Sequence, residues 1–221
     1  MAISKLNFNS LNVTPSANLA IGFDSGADDL ETSSGGGAIK FIKKLTASSS
    51  STLSFVDGSA SVVLDSTYKK YMFIFNNIHP ASADANLQVN FSIDAGSNYN
   101  VTKTTSFFRT QHGESGSGGE LGYEASLDLA QGTAVKKISQ TSGADNDQGI
   151  SGILHLFNPS STTFVKHFIS QTNVSYAYSE PYAYSSYTAG YANTTSAVDA
   201  VQFSINSGNM DTGTITLYGI N

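Results

Sequence analysis

From Ile39 to the end of the chain, apolar side chains recur at every second position in short runs, and no window sustains the spacing of an amphipathic helix. Residues 87–93, LQVNFSI, show the pattern most cleanly: Leu87, Val89, Phe91 and Ile93 on one side, Gln88, Asn90 and Ser92 on the other. Such runs return about every ten to fifteen residues, separated by clusters of Gly, Ser, Asn and Asp, which is the rhythm of sandwiches and barrels. Half-apolar strands hide their apolar side only against another layer. The reading is an all-β chain: an antiparallel β-sandwich, jelly-roll-like, over residues 39–221, preceded by an extended N-terminal arm over residues 1–38.

Strands are expected at 38–45, 52–56, 59–64, 68–78, 87–93, 101–110, 122–130, 135–139, 149–157, 162–172, 200–206 and 214–220. Asp57-Gly58 predicts a hairpin turn between 52–56 and 59–64. The Gly-containing stretch 94–100 predicts a second hairpin, joining 87–93 to 101–110. Residues 68–78, YKKYMFIFNNI, are the most apolar run and are assigned to a central strand, stopped by Pro80, which has no N–H to give to a ladder. Near the end, Val201, Phe203 and Ile205 point inward, and Ile215 and Leu217 share one face of the last strand opposite Thr214, Thr216, Tyr218 and Ile220.

Residues 1–38 break this pattern. Their apolar side chains stand singly: Ile3, Leu6, Phe8, Leu11 and Val13, then Leu19, Ile21 and Phe23. The segment closes on Ser33-Ser34-Gly35-Gly36-Gly37, a flexible joint. Scattered apolar residues on a polar arm imply docking on another surface, with Ile3, Leu6, Phe8, Leu11 and Val13 as the anchoring residues.

Charged residues make up 13% of the chain, about half the usual share, and the net charge is −6. That balance argues against nucleic acid as a partner. The lysine pairs Lys43-Lys44, Lys69-Lys70 and Lys136-Lys137 read as guards of strand edges rather than a basic patch. Cysteine is absent, which removes disulfides, thiolate metal sites and cysteine nucleophiles. The start, MAISKLNFNSLNV, has no secretory apolar core, and no run reaches the roughly 18 apolar residues of a membrane span. The expectation is a protein made in the cytoplasm. Its Asn-x-Ser/Thr matches at Asn12, Asn100, Asn173 and Asn193 then carry no implication of glycosylation.

Motifs of catalysis fail on inspection. His79, His112, His155 and His167 show no metal-ligand spacing and read as structural or surface residues. GESGSGG at 113–119 lacks the strand–elbow–helix setting of a serine nucleophile. Asp145 and Asp147 before Gly149 look like part of a calcium loop without its bidentate glutamate. No catalytic, cofactor-binding or metal-ligating residue is assigned, and no cofactor is expected.

The densest feature is NVSYAYSEPYAYSSYTAGYANTTS, 173–196, with Tyr176, Tyr178, Tyr182, Tyr184, Tyr187 and Tyr191, six of the chain's eleven tyrosines. Tyr176 and Tyr178 continue the preceding strand at period two. Pro181 is read as breaking it, which puts Tyr182, Tyr184, Tyr187 and Tyr191 in or near a loop. Tyrosine among Ser and Gly gives large contact area at low entropic cost, suited to a glycan or to a neighbouring subunit.

Residues 191–220 resemble the C-terminal strands of virion structural proteins of tailed phages, marine cyanophages above all. The shared features are Asn193-Thr194-Thr195-Ser196 before a strand, then Ser207-Gly208-Asn209, then a last strand ending Leu217-Tyr218-Gly219-Ile220. The segments 44–58, 64–80 and 92–100 resemble the same group. The resemblance implies a non-enzymatic structural protein located in the virion, with other virion proteins as partners. Two placements stay open. One is a small tail fibre or receptor-binding module, anchored by its arm to portal or tail and engaged in host attachment. The other is a capsid decoration or head-fibre protein on the shell. A homo-oligomer is implied, a trimer by default, and a host surface glycan is the outer partner. A polysaccharide depolymerase is a third reading, to which no residue is assigned.

Overall fold

The computed structural model describes residues 20–23, 30–33, 38–177 and 181–221. The chain divides into two units, Met1–Ala38 and Ile39–Asn221. In the first unit, β1 (Ala20–Phe23) pairs antiparallel with β2 (Leu30–Ser33), Ile21 opposite Thr32. The described part of the expected extended arm is thus a hairpin. The expected anchors Ile3, Leu6, Phe8, Leu11 and Val13 lie outside the described residues.

The second unit is a β-sandwich. Its strands are β3 (Ile39–Thr46), β4 (Thr52–Val56), β5 (Lys70–Pro80), β6 (Leu87–Ser92), β7 (Lys103–Gly113), β8 (Glu120–Tyr123), β9 (Leu129–Gly132), β10 (Lys136–Lys137), β11 (Gly149–Phe157), β12 (Lys166–Ala177), β13 (Pro181–Ala192), β14 (Ala200–Ile205) and β15 (Met210–Ile220). A single 3₁₀ turn, Ala125–Leu127, is the only helical element among the described residues, and no helix there is long and apolar enough to cross a membrane. The small sheet runs β10-β6-β14-β4. The large sheet runs β3-β15-β5-β11-β12-β13-β7-β8, with β9 also on β7. Every pairing is antiparallel.

The two-residue period decides what lies between the sheets. Phe55 from β4 and Phe203 from β14 meet Phe73 and Phe75 from β5, all buried, with ring centroids 5.1–6.3 Å apart in edge-to-face contacts. Burying one such ring is worth about 1.5–3 kcal/mol, and each aromatic pair about 0.5–1.5 more. Leu87, Val89 and Phe91 of β6 and Ile215 and Leu217 of β15 fill in around them. Gly219 lets Tyr68 close this end: a Cβ there would stand 2.2 Å from the Tyr68 ring.

The expected central strand at 68–78 is confirmed between β15 and β11, and Lys43 and Lys44 lie on the edge strand β3 as expected. Four expectations are corrected. Residues 59–64 are not a strand: Asp57-Gly58 makes a tight turn, but Leu64 donates its N–H to the Asp57 carboxylate at 2.8 Å, and Val62 and Leu64 plug the core. Residues 94–100 do not close a hairpin, because β6 belongs to the small sheet and β7 to the large one. The expected strand 122–130 is split into β8, the 3₁₀ turn and β9. Lys136 stands on the edge strand β10 yet is fully buried.

Lys136 has two counterparts. Lys103, Lys136 and Lys166 are all 0% exposed and end on neutral oxygens rather than carboxylates. Lys103 Nζ donates to Asn90 Oδ1 at 2.5 Å and to the Val101 carbonyl at 2.7 Å. Lys136 Nζ donates to the Leu127 carbonyl at 2.5 Å and lies 5.0 Å over the Phe107 ring. Lys166 Nζ caps the carbonyls of Phe164 and Thr194 at 2.9 and 3.1 Å. Burial pushes the pKa of Lys103 and Lys136 down to about 8 each.

Candidate binding site

The tyrosines are not in a loop. Pro181 is the first residue of β13, a position that needs no ladder N–H, and the strand runs unbroken to Ala192 between β12 and β7. Period two then divides the expected group. Tyr182 and Tyr184 share the face that looks toward the small sheet, while Tyr187 and Tyr191 stand on the opposite face. The four residues cannot form one surface.

On the inner face the small sheet stops short. Segment 136–140 covers β12 and β13 as far as Thr172, whose Oγ1 donates to the Ile138 carbonyl at 2.8 Å, and Ser186, whose Oγ accepts the Gln140 N–H at 3.0 Å. Beyond that line Tyr182, Tyr184 and Tyr176 are half-buried, Tyr176 directly opposite Tyr182 in the β12–β13 ladder. Tyr184 rests against the core, with Tyr182 5.8 Å away and Tyr176 6.4 Å away. The Tyr176 hydroxyl donates to Asp84 Oδ1 at 2.7 Å.

β7 completes the site. Arg109 lies 5.7 Å over the Tyr184 ring. Its Nε donates to Glu124 Oε1 at 2.6 Å, its Nη2 to Glu120 Oε2 at 3.3 Å, and its Nη1 to Gln111 Oε1. Burial opposes the guanidinium's charge, but Glu124 and Glu120 outweigh it and raise the pKa. Burial likewise raises Tyr184, against the pull of Arg109. The β7–β8 loop supplies a floor: Gly118, at φ +69°, brings its backbone so near Tyr182 that a Cβ there would stand 2.9 Å from the ring. The outcome is three aromatic rings around a fixed cation, two carboxylates and an amide, open to solvent. Arg109, Glu120 and Glu124 were not among the residues expected from sequence. Their signal was present only as the inner-face parity of β7 and β8, opposite Ser186 and Gly122.

The outer face differs. Tyr187 stacks on Phe108 at 4.8 Å and 9°, and accepts a bond from Gln171 Nε2 at 3.2 Å. Tyr191 meets His167 edge-on at 6.1 Å. At another margin of the large sheet, His79 accompanies Asp211 at 3.4 Å and the Asp145 carbonyl at 3.1 Å, beside a polar cleft of about 420 Å³ that Asp147 lines. Among the described residues no three His, Asp or Glu side chains gather as metal ligands.

Comparison with protein families, with curated proteins and with solved structures finds no match to this chain.

Proposed function

We propose that the protein is a non-enzymatic structural module of a tailed-phage virion, of the small-fibre or receptor-binding kind, and that it holds a host surface glycan at Tyr176, Tyr182, Tyr184 and Arg109. The observation that carries the binding part is the aromatic cluster left uncovered at the end of the inner face and braced by Arg109 between Glu120 and Glu124. Flat rings offer the apolar faces that sugar C–H groups pack against, while fixed carboxylate and amide oxygens accept from sugar hydroxyls. The virion part rests on the sequence resemblance at residues 191–220.

Capsid decoration is the second reading, favoured by the apolar outer face of the large sheet, which suits a contact between subunits. Antibody labelling of intact particles separates the two. Label at the tail tip supports the fibre reading, and label spread over the head supports decoration. An unlabelled particle rejects both. Glycan-array binding by the isolated chain tests the site: loss of signal in Tyr184→Ala, with folding intact, is the expected result.

A further inference from the structure

The large sheet has nine strands and the small sheet four, and only one face of the large sheet carries the small one. The outer face repeats an apolar choice in three successive rows. One row runs from Phe41 and Tyr218 through Met72, His155 and Ile169 to Ser106 on β7. The next joins Ile74, Ile153, Gln171, Tyr187, Phe108 and Tyr123. The third starts at Ile39 and Ile220 and reaches Phe157 through Lys70, whose Nζ lies 5.6 Å over the Phe157 ring. Phe41, Ile169 and Tyr123 are 63%, 51% and 64% exposed. A sheet that faces water on one side normally alternates apolar-in with polar-out, and this one does not.

Charge is what names the occupant. The molecule carries −6, yet none of the three rows contains an Asp or Glu. Lys70, and Lys44 where the second row reaches β3 through Thr216, are their only Lys or Arg. Burial and then Lys70 lower the pKa of His155, within the band. Asp128 approaches only at the β8 rim, where it accepts the Tyr123 hydroxyl. Two copies of an acidic protein repel each other wherever carboxylates meet, and this face is where they approach without that cost. Its size fits as well. Three rows across the seven strands from β3 to β7 span on the order of 20 Å by 33 Å, or roughly 700 Å², close to the roughly 800 Å² per partner of a specific interface.

We infer that the outer face of the large sheet is the joint between two copies of this chain, packed face to face about a two-fold axis. A patch without carboxylates meeting itself about a two-fold axis is an isologous contact, which closes at two subunits. This pairing replaces the trimer expected by default. It stands apart from the glycan reading, because it uses the opposite face of β13 from Tyr182 and Tyr184.

Sedimentation of the full chain across the micromolar range tests it. The expected result is a mass of two copies for the native chain and of one copy for Ile169→Glu and Ser106→Lys, both at exposed positions, with unchanged circular dichroism. Ser175→Glu, exposed on the same face but outside the three rows, is expected to stay paired. Should Ile169→Glu fail to fold, Ser106→Lys decides. A native chain that is monomeric, or that sediments as three copies, overturns the inference. So does pairing that survives both Ile169→Glu and Ser106→Lys.

Discussion

β13 carries aromatic side chains on both of its faces, and the two sets sit in opposite company. Tyr182 and Tyr184 are accompanied by Arg109, Gln111, Glu120 and Glu124, with the guanidinium held by both carboxylates and the amide. Tyr187 and Tyr191 have Phe108, Gln171, His167 and Ile169 around them, with no carboxylate in the row. Tyrosine content alone does not tell a ligand site from a subunit joint. The polar groups that share the face do, because hydrogen-bond donors and acceptors give direction to a small ligand, whereas the centre of a protein interface is depleted of charge.

The most damaging way to break this comparison is to exchange the two faces. Inserting one alanine between Tyr184 and Ser185 shifts every later residue of β13 by one, sending Tyr187 inward and Ser186 and Thr188, both buried now, outward. The expected outcome is loss of the cooperative thermal transition followed by circular dichroism.

The next effect separates the faces by pH, since Lys103 and Lys136 lie buried on the covered side. Burial pushes their pKa from 10.5 down to about 8, so between those values the unfolded chain binds more protons than the folded one. Stability therefore rises with pH above about 8, by on the order of 2 kcal/mol for each lysine, and their cost is fully present below that. The rise ends near pH 10, where Tyr71, whose pKa burial raises, keeps its proton in the folded state while the unfolded chain releases it. Urea unfolding from pH 7 to 10 measures the slope. Lys136→Met is expected to halve it.

Arg109→Ala leaves Glu120 and Glu124 side by side without their shared cation. The expected cost is about 1 kcal/mol in stability, because the pairs are partly solvated, together with at least a tenfold loss of glycan affinity. Phe108→Ser, one residue away on the other face, is expected to leave glycan binding unchanged. Titration of both variants with the array-selected sugar gives the contrast, and equal losses would contradict the division between the faces.

The smallest change is Gln171→Ala, which removes only the exposed bond to the Tyr187 hydroxyl. Within about 0.5 kcal/mol of native stability is expected from chemical denaturation.

Much of the fold was legible because period two survives in any environment that buries one side of a strand. β3, β4, β5, β6, β11, β14 and β15 all stand where the alternation puts them. The errors share one physical origin. Residues 59–64 and 122–130 alternate as strands do, but alternation records which side chains are buried, not which backbone groups find a ladder partner. The Asp57 carboxylate takes the Leu64 N–H, and the 3₁₀ turn at Ala125–Leu127 interrupts the other run. The tyrosine site was half legible: the rings were visible as a cluster, but Arg109 lies 67 or more positions before them in sequence and joins them only through the β7–β13 ladder.

By itself the sequence determined that residues 39–221 are an all-β sandwich and which side chains alternate along each run, because those properties depend on neighbours one or two residues away. Only the tertiary structure decided that β6 and β7 part into different sheets, that three lysines are enclosed and bonded to neutral oxygens, and that Tyr182 and Tyr184 face away from Tyr187 and Tyr191. These depend on pairings made across tens of residues, and strand pairing is fixed by which edges remain open when the sheets come together.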